Sequence, residues 1–370
     1  MQNTLKKAFA FEMIINVSKP YLPPLEEYHK YLEGIWNRCW ITNSGPLVSM
    51  LEDQLKKYLG VGYVKFVSSG TVALQIAIKS LELEGEVITT AFSHVSTANS
   101  LLWGNQRPVF TDIEEKSFCI DPYKIEAAIT NSTCAILATH VYGHPCEIRK
   151  IEKIAEKYNL KVIYDGAHAF GVQVYNQSIL NYGDITAVSF HATKLYHTIE
   201  GGAIITNDEK IANKCGILKN FGLQAAVPQM AGLNGKNSEL HAAMGLCNLP
   251  KVEDFIRKNG EISALYRTLL KHLPLTFPHL YGDVKYNYTY FPIVFASAEE
   301  MLRIKNELEN KGIYARRYFY PSLNKLSYCK EYDCPIAEYI SERVLCLPVY
   351  YDLSLEDVKV IAEVIIKCYE

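Results

Sequence analysis

The chain has 370 residues, 49% of them apolar and 21% charged, with a formal net charge of -2. That length supports one large core and a second, smaller one, and the near-neutral balance excludes a general binder of nucleic acid or of anionic membranes. No apolar run reaches the ~18 residues that a membrane-spanning helix needs.

The first residues, MQNTLKKAFAFEMII, carry Glu12 within their apolar stretch and lack a small-residue cleavage site behind it. They do not read as a signal peptide. The ten cysteines, at 39, 119, 134, 146, 215, 247, 329, 334, 346 and 368, include no C-x-x-C pair. They read as free thiols, mostly buried, in a reducing cytoplasm. His140 and His144 form H-x-x-x-H, but Gly143 lies between them and no acid follows the first, so no metal site is expected.

From residue 61 to 206, short apolar runs alternate with amphipathic stretches. The runs are Tyr63–Val67, Glu86–Thr90, Pro108–Asp112, Cys134–Thr139, Lys161–Asp165, Ile185–Phe190 and Ala203–Thr206. Helical patterns lie between them: Val72, Leu74, Ile76, Ala77 and Leu81 make one, and Ile148, Ile151, Ile154 and Ala155 another. Seven strands interleaved with helices predict an α/β domain around a mostly parallel, buried sheet. Further on, Ser238 caps a helix that Pro250 breaks, and a long helix runs from about Val252 to Leu270. A strand (Tyr290–Phe295), a helix (Ala298–Lys311) and a last helix opened by Ser354 complete a smaller α+β domain. The division is 13–250 for the large domain and 251–370 for the small one.

Three segments carry candidate chemistry. In Phe66-Val-Ser-Ser-Gly-Thr71 a strand runs through a glycine turn into a helix, where free amides and the hydroxyls of Ser69 and Thr71 suit a phosphate. Taken alone, an ordinary capped turn explains it almost as well. Asp165 ends a strand, at the edge where open α/β sheets bind ligands, and His168 follows three residues on. By itself a helix-capping aspartate is the plainer reading. Lys194 sits in a polar loop just past the strand Ile185–Phe190 and before Glu200-Gly-Gly202. A lysine between two core strands is costly unless exposed, paired or covalently engaged. A phosphate cradle, a carboxylate for a heteroaromatic nitrogen and a lysine for an aldehyde are together the needs of one cofactor, pyridoxal 5'-phosphate.

In order and wording the chain resembles the DegT/DnrJ/StrS-type aminotransferases, which use that cofactor on nucleotide-linked ketosugars. The matching segments include Trp40-Ile-Thr-Asn-Ser-Gly-Pro46, Ser68-Ser-Gly-Thr71, Thr90-Ala-Phe-Ser-His-Val-Ser-Thr97, Asp165-Gly-Ala-His168 and Ser189-Phe-His-Ala-Thr-Lys194. Gly232-Leu-Asn-Gly-Lys-Asn-Ser-Glu239, Ala315-Arg-Arg-Tyr-Phe-Tyr-Pro321 and Leu345-Cys-Leu-Pro348 match as well. The resemblance covers the chain from about Met13, leaving residues 1–12 as a possible extension.

The resemblance implies fold type I, with a seven-stranded large domain and a homodimer whose active sites lie at the subunit interface. Lys194 would form the Schiff base and Asp165 would pair with the pyridinium. His168 would contact the ring hydroxyl. Gly70, Thr71 and Ser189 would hold the phosphate with Ser69, and Asn234 would reach it from the partner subunit. The residue that stacks on the ring would be His94, where relatives carry an aromatic side chain. L-Glutamate would supply the amine, leaving 2-oxoglutarate and pyridoxamine 5'-phosphate, and a nucleotide-linked 4-keto-6-deoxyhexose would accept it. The wording around Thr139-His-Val-Tyr-Gly143 and Lys194 is most similar to enzymes that make dTDP-4-amino-4,6-dideoxyglucose for surface glycans such as lipopolysaccharide. Amination at C3, or of a UDP-linked sugar, remains an alternative. A non-catalytic cofactor-binding regulator would not need a sugar pocket lined by Trp40-Ile-Thr-Asn43 and Arg316-Arg-Tyr-Phe-Tyr320, and a dehydrogenase would need a glycine-rich fingerprint that no early strand precedes.

Overall fold

The structure, a computed structural model, describes residues 14–330 and 332–370. The extension expected at 1–12 lies outside the described residues. Seven strands form the central sheet: β1 Tyr63–Val67, β2 Glu86–Thr90, β3 Arg107–Thr111, β4 Thr133–Thr139, β5 Lys161–Asp165, β6 Ile185–Ser189 and β7 Gly202–Thr206. Their spatial order is β1-β7-β6-β5-β4-β2-β3. All neighbours are parallel except around β7, which runs antiparallel to both β1 and β6. The strands read as continuous apolar runs because helices cover both faces of the sheet and no face meets water.

The differences from the sequence expectation are small and have local causes. β3 begins at Arg107, which pairs with Glu86 in the ladder and bonds its carboxylate at 2.6 Å. It ends before Asp112, whose two oxygens instead accept the amides of Ile336 (3.0 Å) and Ala337 (2.8 Å) at the start of the helix Pro335–Arg343. Phe190 leaves β6 because its amide turns to the carbonyl of Gly201. Ser238, Ser297 and Ser354 each accept a first-turn amide as helix N-caps, and the long helix runs from Val252 to Leu270. The strand expected at Tyr290–Phe295 is Phe291–Val294, paired antiparallel with Val344–Leu347.

His140 and His144 are both buried and hold no metal cluster among the described residues. His140 stacks on Tyr164 (4.6 Å) and accepts the Cys146 amide at Nδ1, while His144 meets Tyr286 edge-on. Burial lowers both pKa values to about 3. All ten cysteines are free. No helix among the described residues is long and apolar enough to cross a membrane.

Two helices that sequence pattern did not reveal, Leu25–Arg38 and Pro46–Leu59, precede the sheet. The second has no capping side chain of its own. Its Leu47 and Val48 amides donate instead to the fully buried carboxylate of Glu239, both at 2.9 Å, and Arg38 lies 3.6 Å from the same group. Replacing Glu239 with alanine strands two buried donors. The expected loss is ~2 kcal/mol of stability, read as a lower midpoint in urea unfolding.

Candidate active site

β1, β5 and β6 end at the same edge of the sheet, and β7, running the other way, begins there. At that edge a cavity of about 360 Å³ is lined by Ser69, Gly70, Thr71, His94, Asp165, His168, Ser189 and Lys194. Eight of the nine residues singled out from sequence therefore share one space. The ninth, Asn234, is exposed outside it, where its Oδ1 accepts from Lys236 Nζ at 2.8 Å. Trp40 also stands outside the cavity, its indole N–H donating to Thr42.

The loop carrying Lys194 is fixed from both sides. Phe190 and Tyr196 are fully buried, 5.0 Å apart, with Phe170 stacked on Tyr196 at 4.5 Å. The Phe190 carbonyl accepts the Thr198 amide, so the loop closes on itself. Lys194 lines the cavity together with His191, Thr193 and Glu200 of this loop, and its Nζ bonds the Tyr290 hydroxyl at 3.0 Å. Burial lowers its pKa below 10.5, outweighing the nearby Tyr318 and Asp165, which favour the ammonium. A low-pKa amine in a cleft is a nucleophile and base at neutral pH.

Asp165 is buried at the end of β5. Its Oδ2 accepts from Thr97 Oγ1 at 2.8 Å and its Oδ1 from the Ala167 amide at 3.1 Å. His168 is held by stacking on Phe319 (5.5 Å) and by the Tyr142 amide, which donates to Nδ1 at 3.1 Å. Burial pushes its pKa well below 6.5, so the ring is neutral and its one proton is on Nε2. His94 caps the helix Val95–Trp103 by accepting the Ser96 amide at Nδ1. Its pKa is lowered by burial and by Lys194, against a smaller opposing pull from Asp165.

The turn after β1 opens the helix Gly70–Ser80. Ser69 caps it by accepting the Val72 amide, which leaves the Gly70 and Thr71 amides with no carbonyl one turn back. Thr71 Oγ1 donates to Ser96 Oγ at 3.1 Å. Space at this turn is defined by two glycines. A Cβ on Gly70 would lie 2.7 Å from that of Ser189, and one on Gly202 would lie 2.6 Å from the carbonyl of Ser69. The turn is thus a bare-backbone cradle with hydroxyls at its rim, suited to an anion.

The wall opposite this cradle comes in part from Arg316-Arg-Tyr-Phe-Tyr320, the segment expected to line a sugar pocket, and in part from Tyr290, which sequence reasoning missed. Tyr290, Tyr318 and Phe319 complete the cavity with Arg316, and burial raises the phenol pKa of Tyr290. Thr97 lay in a quoted segment without a role. Its signal was a hydroxyl one helical turn past Ser93 and followed by Ala98, on the face that turns out to be fully buried.

A model of the DegT/DnrJ/EryC1/StrS aminotransferase family matches residues 25–366. A dTDP-4-amino-4,6-dideoxy-D-glucose transaminase of Shigella dysenteriae is 43% identical, covering 96% of this chain and 99% of the relative. One from Escherichia coli is 41% identical over 95% and 98%. Among solved structures, DesI with its TDP-sugar product superposes with a TM-score of 0.91 at 29% identity, covering 99% and 95%. Helicobacter pylori PseC, an aminotransferase involved in the biosynthesis of pseudoaminic acid, gives 0.90 at 27% identity, covering 96% and 99%.

The lowered pKa of Lys194 is directly measurable. Acetylation followed by peptide mass spectrometry across pH should give a half-modification point for Lys194 below 10.5. That of the exposed Lys157, whose pKa Glu126 raises, should lie above it.

Proposed function

The chain belongs to the DegT/DnrJ/EryC1/StrS aminotransferase family, and from that premise we propose that it converts dTDP-4-keto-6-deoxy-D-glucose and L-glutamate into dTDP-4-amino-4,6-dideoxy-D-glucose and 2-oxoglutarate. It is an aminotransferase with pyridoxal 5'-phosphate as cofactor. The observation that carries the reading is a low-pKa lysine amine sharing one cavity with a buried carboxylate and a glycine cradle. The near full-length likeness to two enzymes named for this product supports the choice of sugar.

The residues present fit the cofactor. The turn packed tightly at Gly70 and Gly202 suits its phosphate, with the Gly70 and Thr71 amides and the Ser69 and Ser189 hydroxyls as donors. Asp165 would hold a proton on its ring nitrogen, His168 Nε2–H would donate to its ring oxygen, and His94 would cover one face. Lys194 would hold its aldehyde carbon. When bound, the group supplies an electron sink for the carbanion formed at the amine-bearing carbon.

This chain's own contribution is proton management and positioning. The Lys194 amine, its pKa lowered by burial, takes the proton from glutamate's α-carbon, and in the second half-reaction it returns one to C4 of the sugar. Tyr290 keeps Nζ from swinging away, through its 3.0 Å bond. Tyr318, Phe319 and His168 exclude water on one side. Arg316, at the cavity mouth, is a cation for the glutamate carboxylate or the sugar's diphosphate.

Two further parts of the proposal concern assembly and place. A homodimer is supported by the exposed Trp36, Trp40, Ile41 and Met50 on and between the first two helices, and by Asn234 facing away from its own chain's cavity. Ten free thiols support a reducing compartment such as the cytoplasm.

The test is the absorption spectrum of the purified protein with its cofactor. Glutamate should bleach the visible band, and dTDP-4-keto-6-deoxy-D-glucose should restore it. A band that answers glutamate but not this sugar keeps the chemistry and removes the substrate. Lys194→Ala should have no turnover. Asp165→Asn should lose kcat by about 100-fold or more, because the ring is then no longer held protonated.

A further inference from the structure

Asp165 is the end of a line of hydroxyls that point one way. Thr97 Oγ1 donates its only proton to Asp165 Oδ2 at 2.8 Å. The 2.8 Å contact between Thr97 and Ser93 must therefore use the Ser93 proton, and Ser93 in turn accepts from Thr139 Oγ1 at 3.1 Å. The direction Thr139 to Ser93 to Thr97 to Asp165 follows from one proton per hydroxyl. The three donors come from the end of β4, the turn after β2 and the helix Val95–Trp103, and each is at most 1% exposed. Among the described residues no cation forms an ion pair with Asp165, and its oxygens accept from Thr97 Oγ1 and the Ala167 amide.

We propose that Thr97, Ser93 and Thr139 are positioning residues that act through Asp165, keeping the proton it shares with the cofactor's ring nitrogen on the nitrogen. The inference rests on the reading of Asp165 given above. A buried carboxylate without donors is a stronger base, because desolvation penalises its charge, and it would draw that proton to itself. Aligned O–H dipoles oppose this by favouring the charged carboxylate, and each bond polarises the next. The effect is largest at Thr97, which touches Asp165, and diminishes along the chain. The ring has to stay protonated to accept electrons, so a distant threonine at the end of β4 contributes to the rate without touching any reactant.

The test uses holoenzyme loaded with cofactor carrying 15N in the ring, with the ring-nitrogen chemical shift read by NMR alongside kcat. Thr97→Val keeps the shape and removes the donor; Thr97→Ser keeps the donor and removes a methyl. Thr97→Val should move the signal toward neutral pyridine and lower kcat about 10-fold, the order expected for a lost hydrogen bond to a charged group. Thr97→Ser should keep the wild-type signal. A packing role would give the opposite ranking and would overturn the proposal. Asp165→Asn is the control. If it moves the signal and Thr97→Val does not, the chain of hydroxyls is irrelevant while the role of Asp165 stands. If neither moves it, both fall. Should Thr97→Val fail to fold, Ser93→Ala decides: a smaller displacement in the same direction supports the proposal, and an unmoved signal overturns it.

Discussion

Strand β7 passes so close to the turn after β1 that a side chain at position 202 would collide with the Ser69 carbonyl. This contact sets the geometry of the site. Running against its neighbours, β7 brings a strand's beginning to the edge where the others end. The loop between β6 and β7, residues 190–201, must then reverse direction, and Lys194 lies within it. The same contact presses the first turn of the helix Gly70–Ser80 toward Ser189. The anion cradle and the amine are thus placed by one packing event, and neither can shift far without the other.

Enclosure then sorts the titratable groups by charge. Burial drives Lys194, His168 and His94 toward their neutral forms, since each would be a cation in a space poor in water. Asp165 is treated differently, receiving a backbone amide and a hydroxyl. The cavity therefore sets nitrogen bases whose protonated forms burial disfavours opposite a carboxylate held by hydrogen-bond donors. That arrangement matches a reaction in which protons move between carbon and nitrogen while one negative charge stays put.

How far this was legible in the sequence depended on whether the signal was local. The seven strands stood out because a sheet covered on both faces needs uninterrupted apolar runs, and the errors at their ends were single residues such as Phe190 and Arg107. Asp165, Lys194 and the Ser-Ser-Gly-Thr71 turn were visible because each directly follows such a run. Tyr290 was not, since it reaches the cavity from more than 90 residues beyond Lys194 and nothing in its own segment marks it as a wall. The helices Leu25–Arg38 and Pro46–Leu59 were missed for a related reason. The first exposes Leu25 and Trp36, which blurs its apolar stripe, and the second begins on a cap supplied from residue 239.

That borrowed cap has a consequence for the order in which the molecule can be made. The acceptor for the Leu47 amide lies 192 residues further along the chain. Among the described residues β1 likewise pairs with β7 alone, at residues 202–206. While the ribosome is still adding residues before these, β2 to β6 can already pair among themselves, but the helix Pro46–Leu59 lacks its cap and β1, joined to that helix through the Phe66 amide and Glu52, lacks its sheet partner. The earliest part of the chain to emerge is thus among the last to be fixed, and non-local closure of this kind slows folding. Until synthesis passes Glu239, Leu47, Leu51 and Leu55 are apolar surface that the nascent chain must keep from its neighbours.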